Sequence, residues 1–433
     1  MNPYLLGFRC TRCEQMLDVE EALYTCLRCG GNLDAHYDYA GIARHVNPAH
    51  LIANPNHSVW RYAPLLPIGY PVPAQDEQRQ AELRWHPLTT FGDSPLIRAP
   101  KLERLLDVRT VWLKDDSRLP SSSFKDRASS MVIARALHAG IQTICAASTG
   151  NAASSLATLC AGVGIQAVIF VPRSTPEGKL AQMLVHGAQV YAVEGSYDEA
   201  FDLALQATRE FGWYNRNTGF NPYTREGKKT AAFEICEQLA RFAPDTRAAT
   251  FRAPDVVIVP VGDGNIISGL HKGFKDLVNT GWIERMPRLI GVTAALAPAL
   301  YRAWQSGSEQ ITPVPATTIA GGISADLPRD GVMALRAVRE SGGLLIEASD
   351  EEMLDGIRVL ASTAAVFVEP ACAAAYVGLV KASRSGIIRP DEEVVLQLTG
   401  SGLKDVKSAL YARAGRLIPI QPRIEDVRRF AEG

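Results

Sequence analysis

From about Leu88 onward the chain alternates short apolar runs with helix-like runs, and this alternation constrains the fold more than any other feature. The runs "TVWLKDD" (110–116), "TICAAST" (143–149), "QAVIFVP" (166–172) and "QVYAVEG" (189–195) have the length and apolar content of strands. Between them lie "FKDRASSMVIARALHAG" (124–140), "NAASSLATLCAGVG" (151–164), "EGKLAQMLVHG" (177–187) and "YDEAFDLALQATREFG" (197–212), helices that close on glycine. The pattern resumes with "KTAAFEICEQLA" (229–240), "DVVIVPVG" (255–262), "RLIGVTA" (288–294) and "EVVLQLTG" (393–400). Such alternation predicts an α/β fold of parallel sheets covered by helices.

Residues 1–36 have a different texture. "CTRC" (10–13) and "CLRC" (26–29) are two Cys-x-x-Cys knuckles twelve residues apart. Four thiolates so spaced suit a tetrahedral zinc, with iron the lesser alternative, and they leave no open ligand position. Cys10, Cys13, Cys26 and Cys29 are therefore expected to hold a structural metal in a zinc-ribbon-like module. Residues 37–87 are proline-bearing, notably "LLPIGYPVPAQ" (65–75), and read as a connecting arm. The body, 88–433, is expected to divide into a smaller α/β subdomain at about 125–215 and a larger one from the remainder.

Bulk properties exclude several functions. Of 433 residues 47% are hydrophobic and 21% charged, and the net charge is −1, which favours neither a nucleic acid nor a membrane surface as partner. No apolar run has the length of a membrane span, and the start lacks the pattern of a signal peptide. The other cysteines (Cys145, Cys160, Cys236, Cys372) are scattered through apolar segments, which suits a reducing cytoplasm.

In open parallel sheets, ligands sit beyond the carboxyl ends of strands. Three small-residue turns follow such ends: "STGNAAS" (148–154), "VGDGNIISG" (261–269) and "LTGSGLKD" (398–405). In the second, Gly262, Asp263, Gly264, Asn265 and Ile266 open a helix, where backbone amides suit a phosphate; the Gly-Lys-Ser/Thr ending of an ATP-binding loop is missing. In the first, Ser148, Thr149, Gly150 and the amides around Asn151 and Ala152 could hold a carboxylate, or Asn151 could merely cap a helix. In the third, Thr399 could be a turn residue and nothing more. Each turn alone is undecided. Lys125, in "SSSFKDRASS" (121–130), changes their weight. A desolvated lysine at a helix head has a lowered pKa and can form a Schiff base. Such a site needs an anion cradle, a ring-nitrogen partner and a carboxylate pocket, and the three turns supply a candidate for each.

"SSSFKDRAS", "ASTGNAASS", "VPVGDGNIISGLHKGFKDL", "FVEPACAAAYVGL" and "LTGSGLKD", in this order, resemble threonine synthase of the tryptophan-synthase-β-like group of pyridoxal-phosphate enzymes. "GDSPLIRAPKL" (92–102) and "NPYTREGKKTAAFEICEQL" (221–239) extend the likeness, which covers about Trp60 to Asp405. The resemblance implies two three-layer parallel-sheet domains and a homodimer. It implies that Lys125 carries the cofactor and shuttles protons, Asn151 meets the ring hydroxyl, 262–266 cradle the phosphate, Thr399 faces the pyridine nitrogen, and Ser148, Thr149 and the following amides hold the substrate carboxylate.

The family's pattern is not followed everywhere. Its usual threonine after the asparagine of the first turn is Ala152 here. Its Asn-Ser-Val-Asn-Pro-x-Arg run reads "TGFNPYT" (218–224), so the Asn-Ser pair becomes Thr218 and Gly219 and the arginine becomes Thr224, with Arg225 one residue away. Its Asn-Pro-Thr-Gly-Ser lead-in to the lysine reads "LPSSS" (119–123), and "IAGGISADLPRDG" (319–331) lacks an arginine where the family often places one. The expected activity is therefore elimination or replacement on an amino acid, with O-phosphohomoserine as the family's substrate. The alternatives are β-replacement as in cysteate synthase, serine/threonine dehydration, and a non-catalytic binding protein that keeps the fold.

Overall fold

The computed structural model describes residues 2–431 apart from Ala22, 71–85, Thr90, Pro176, Ser196, 243–250 and Ala414. The amino-terminal strands are β1 (Leu5–Cys10), β2 (Met16–Leu17) and β3 (Leu33–Tyr37), which pair antiparallel in the order β2-β1-β3. The body contributes β4 (Leu96–Arg98), β5 (Thr110–Asp115), β6 (Thr143–Ala147), β7 (Gln166–Pro172), β8 (Gln189–Val193) and β9 (Tyr214–Asn215). It continues with β10 (Val256–Pro260), β11 (Arg288–Ala294), β12 (Leu344–Ala348) and β13 (Glu393–Leu398). The strands and helices read from the alternation lie within two residues of these bounds.

Two parallel sheets result. One has four strands in the order β8-β7-β6-β9. The other has six, in the order β12-β11-β10-β13-β5-β4, with β4 antiparallel to β5. Side chains of β10 alternate between two cores. Val257 and Val259 pack with Ile267, Leu270 and Phe274 of the Asn265–Asn279 helix, whereas Val256 and Ile258 pack with Ala373 and Leu379 of the Pro370–Arg384 helix. A strand covered on both faces must be apolar at every position, which is why β10 reads "VVIVP" without alternation.

Residues 39–65 hold two short helices and a 3-10 turn, with Trp60 and Tyr62 buried and Arg61 paired to Glu237 at 2.9 Å. The second half of the proline-bearing stretch 65–75 lies outside the described residues. Among the described residues no helix is long and apolar enough to cross a membrane.

Candidate active site

Lys125 opens the Lys125–His138 helix after the loop that leaves β5, and its neighbours lock that loop from both sides. Ser121 donates its backbone N–H (2.7 Å) and its hydroxyl to Asp126. Arg127 reaches Asp116 and Glu234, each at 2.7 Å, and Lys114 reaches Glu234 at 2.7 Å; all four side chains are fully buried. The N–H of Phe124 donates to the carbonyl of Thr399 (3.0 Å), and the N–H of Ser401 donates to the carbonyl of Ser122 (3.1 Å). The lysine loop and the turn after β13 are thus stitched together by backbone bonds. Ser122 adopts a left-handed conformation (φ 59°), where the family's lead-in carries glycine.

A cavity of about 450 Å³ lies in front of Lys125. Ser148, Thr149, Gly150, Asn151 and Ala152 line it from the end of β6, and Gly262, Asp263, Gly264, Asn265 and Ile266 line it from the end of β10. Eleven of the twelve non-cysteine residues singled out from sequence therefore share one space. Thr399 is the exception: it is buried (6% exposed) and not in the lining, held through its N–H to the Cys372 sulfur at 3.1 Å. Asn151 donates its side-chain amide to Glu369 (2.7 Å), at the entry to the Pro370–Arg384 helix.

Lys125 is partly exposed, onto the cavity. Its pKa falls from 10.5 to about 8, chiefly through burial; Glu369 and Asp263 oppose the fall, and Arg216 and Lys404 add to it. A neutral amine is thereby accessible near neutral pH, as a nucleophilic or proton-accepting lysine requires.

The turn at 262–266 is built for a close approach. A β-carbon on Gly262 would lie 2.6 Å from Ile323 Cα, and one on Gly264, whose φ is 90°, would lie 2.8 Å from the Asp330 carbonyl. Gly264 caps the Asn265–Asn279 helix, whose first-turn amides face outward by geometry. Behind Asn265, the buried Lys228 donates to the Asn265 side-chain oxygen. Burial, with Lys125 and Arg216 nearby, holds Lys228 well below its ordinary pKa. Asp263, also in the lining, accepts the Arg329 N–H (2.7 Å); burial pushes its pKa up to about 6. Amides at a helix start, glycines with no room for side chains and a buried lysine fit the phosphate of a pyridoxal cofactor, and Lys125 fits its aldehyde.

The pyridoxal-phosphate dependent enzyme family model matches residues 88–400. Threonine synthase of Methanocaldococcus jannaschii is 37% identical over 406 residues, 93% of this chain and 94% of that protein. The chain belongs to the threonine synthase family. Threonine synthase of Methanosarcina acetivorans is 34% identical over 405 residues, 93% of each chain. Among solved structures, maize serine racemase superposes with a TM-score of 0.63 at 20% identity, covering 78% of this chain and 98% of that one. Diaminopropionate ammonia lyase of Escherichia coli does so at 0.64 and 20%, covering 75% and 88%. These two share the fold. Membership makes this protein a pyridoxal-phosphate-dependent lyase acting on an amino acid.

Where the family pattern is broken, other side chains stand. Thr224 is buried with its hydroxyl on the Asn221 carbonyl (2.7 Å), and Arg225 turns to Asp330, Asp34 (3.3 Å) and the Leu33 carbonyl (3.1 Å). Neither lines the cavity. Arg216, Arg329 and Lys228 do, and sequence reasoning missed all three. Arg216 is 1% exposed and donates to Ser129 (3.2 Å) and Thr218 (2.9 Å). It follows β9, a strand of two residues, too short to show a period. Arg329 belongs to the segment that lacks the family's arginine at its usual place; its guanidinium lies 4.9 Å from the Phe201 ring, also in the lining.

The four amino-terminal cysteines converge. Their sulfurs all lie within 4.8 Å of one another, with Cys10–Cys29 at 3.4 Å and Cys13–Cys26 at 3.6 Å. A tetrahedral zinc with bonds of about 2.3 Å needs sulfurs about 3.8 Å apart, so the donor set fits. Burial raises the Cys10 pKa, but the N–H groups of Cys13 and Arg12, each 3.4 Å from its sulfur, together with the neighbouring Cys29 and Cys13 thiols outweigh that and bring it to about 7.

Proposed function

We propose that this protein is a threonine synthase-type lyase whose substrate carries a phosphate leaving group, with O-phosphohomoserine giving threonine and phosphate as the first candidate. The supporting observation is a charge balance. Lys125, Lys228, Arg216 and Arg329 line one cavity, against the carboxylates of Asp263 and Asp326. The helix start at 264–266 with Lys228 answers the cofactor phosphate, and the turn at 148–152 answers the substrate carboxylate. Arg216 and Arg329 are two further cations in the same lining, and a doubly charged leaving group is what two guanidiniums serve. A dehydratase expels water and needs neither.

When bound, the cofactor supplies an electron sink for charge that develops at the substrate's α-carbon. The chain does the rest. The Ser148, Thr149 and Gly150 turn and the amides at Asn151 and Ala152 orient the α-carboxylate. Lys125 Nζ, neutral above about pH 8, takes the α-proton and returns protons later. Arg216 and Arg329 hold the departing phosphate. Asn151, bonded to Glu369, would meet the cofactor's ring hydroxyl, and Thr399, buried outside the lining with its carbonyl bonded to Phe124, would serve the ring nitrogen. Asn217 accepts the Ala147 N–H (2.8 Å) and so ties the end of β6 to the Arg216 segment.

Product analysis tests the reading. Phosphate release with threonine formation from O-phosphohomoserine supports it. Phosphate release without threonine moves the assignment to β-replacement on a phosphorylated amino acid. Oxo-acid and ammonia from serine or threonine, with no phosphate chemistry, refute it in favour of a dehydratase. Failure to trap the cofactor on Lys125 with borohydride refutes every enzymatic reading.

Zinc in the Cys10, Cys13, Cys26 and Cys29 cluster, a homodimer and a cytoplasmic location belong to the same proposal. So does the division into a metal module at 1–36, an arm at 37–87 and a body at 88–433 with a smaller unit at about 125–215. Eight free thiols suit a reducing compartment. Leu410, Tyr411, Leu417 and Phe430 of the carboxy-terminal segment are exposed apolar side chains, of the kind a second copy covers.

A further inference from the structure

The four-cysteine cluster lies outside the cavity, yet its flanks reach the segment that supplies one cavity wall. Tyr24, two residues before Cys26, stacks on Phe220 (ring centroids 4.5 Å) and on Tyr214 (5.8 Å), and its hydroxyl accepts the Asn215 N–H (2.9 Å). Asn32, three residues after Cys29, donates its side-chain amide to the Gly219 carbonyl (2.7 Å). The module thus grips the 214–220 segment at both ends, and the residues between the grips, Arg216, Asn217 and Thr218, line the cavity.

The grip is continuous with the thiol geometry. Thr11, inside the first knuckle, donates its N–H to the Asn32 carbonyl (2.9 Å), and the Cys26 N–H donates to the Gly31 carbonyl (2.9 Å). A β-carbon on Gly31 would lie 2.9 Å from the Cys10 sulfur, so the chain entering Asn32 is packed against the cluster. The same module touches the opposite wall. Arg336, on the Gly331–Glu340 helix, donates to the Thr11 carbonyl (2.6 Å). Arg225 spans from the Leu33 carbonyl to Asp330, the neighbour of Arg329. The lysine loop is held by other groups, namely Asp116, Asp126, Glu234 and Thr399.

We propose that the amino-terminal cysteine module sets the position of the leaving-group wall, with Tyr24 and Asn32 as positioning residues, and that metal occupancy of the four thiols controls substrate affinity rather than cofactor binding. The reason is mechanical. Cysteine ligands hold the two knuckles at one separation only while a metal joins them. Without it, the second knuckle, which carries both Tyr24 and Asn32, is held to the first by little more than the Thr11–Asn32 bond, and the Arg216 segment loses its fixed anchors. The substrate readout rests on the assignment of Arg216 and Arg329 to the leaving group; the exchange readout below does not.

The experiment uses the full-length, metal-loaded holoenzyme and its Asn32→Ala and Tyr24→Phe variants. Steady-state kinetics with O-phosphohomoserine and amide hydrogen exchange over residues 214–220 are measured side by side. The expected result is a KM raised about tenfold for Asn32→Ala with kcat changed less than about threefold, unchanged cofactor absorbance, and faster exchange at 214–220. Chelation should give the same signature, and zinc alone should reverse it. A chelated protein that stays folded by circular dichroism, with unchanged KM and exchange, overturns the proposal. Should chelation unfold the chain, the two variants decide: normal KM and normal exchange in both overturn it equally. Should the enzyme lack phosphohomoserine activity, the assignment of the wall falls, and exchange at 214–220 alone decides whether the module positions it.

Discussion

A β-carbon on Gly219 would lie 2.7 Å from the Cβ of Arg329 and 2.9 Å from its carbonyl carbon. Gly219 also has a φ of 73°, which favours glycine. The family's usual serine at this position and the arginine of this chain therefore compete for one volume. The exchange of serine for glycine makes room for the Cβ and backbone of Arg329, while its guanidinium lies over the Phe201 ring.

Restoring the serine tests that exchange. Gly219→Ser should push Arg329 away and strain the backbone, lowering kcat/KM for a phosphorylated substrate by about 10–100-fold, about 1.4 kcal/mol for each factor of ten. Cofactor absorbance should not change. Steady-state kinetics with and without saturating pyridoxal phosphate make the comparison.

Lys125 should govern how cofactor capture depends on pH. Its neutral amine is the reactive form, so the rate of pyridoxal-phosphate capture by cofactor-free protein should rise through about pH 8 and level off above it, well before free lysine would. Arg216 is one of the charges that lower this pKa. Arg216→Met removes that repulsion, so the rise should move to higher pH. Stopped-flow absorbance from about pH 6 to about pH 10 would reveal both; a rise at the same pH in wild type and variant would contradict the second.

Ser122 stores strain beside the lysine. A non-glycine residue in the left-handed region costs about 1–2 kcal/mol, and glycine gives up about 0.5–1 kcal/mol of that in chain entropy. Ser122→Gly should therefore stabilise the protein by about 0.5–1 kcal/mol, read as a higher urea midpoint with an unchanged slope.

Arg127 is the opposite case. It answers Asp116 and Glu234 in a fully buried cluster, and Arg127→Met leaves two buried carboxylates short of their main cation. The expected loss is about 3–5 kcal/mol by urea unfolding. Arg127→Lys should lose less, because it keeps the charge and forfeits only the fork that spans both acids.

The strands of the body were legible because a strand buried on both faces must be apolar throughout, and "VVIVP" or "QAVIFVP" can be little else. Lys125 and the turns after β6 and β10 were legible for a related reason. Ligands meet parallel sheets at strand ends, and small residues there are visible as sequence. Local chemistry also announced the four cysteines, whose spacing alone brings each pair together.

Arg216, Arg329 and Lys228 gave no such sign, since nothing local distinguishes an arginine that faces a cavity from one that faces water. Their directions come from packing between distant segments. A β-carbon on Gly227 would collide with the Arg127 carbonyl, so the Tyr223–Lys228 helix seats closely on the lysine helix in one rotation. That rotation turns Lys228 into the cavity and Arg225 away to Asp330. Sequence by itself determined the sheets, the helix head that carries Lys125 and the turns at the strand ends, because each depends on residues adjacent along the chain. Which cations line the cavity was decided only in the tertiary structure, because close packing between helices distant along the chain sets where each side chain points.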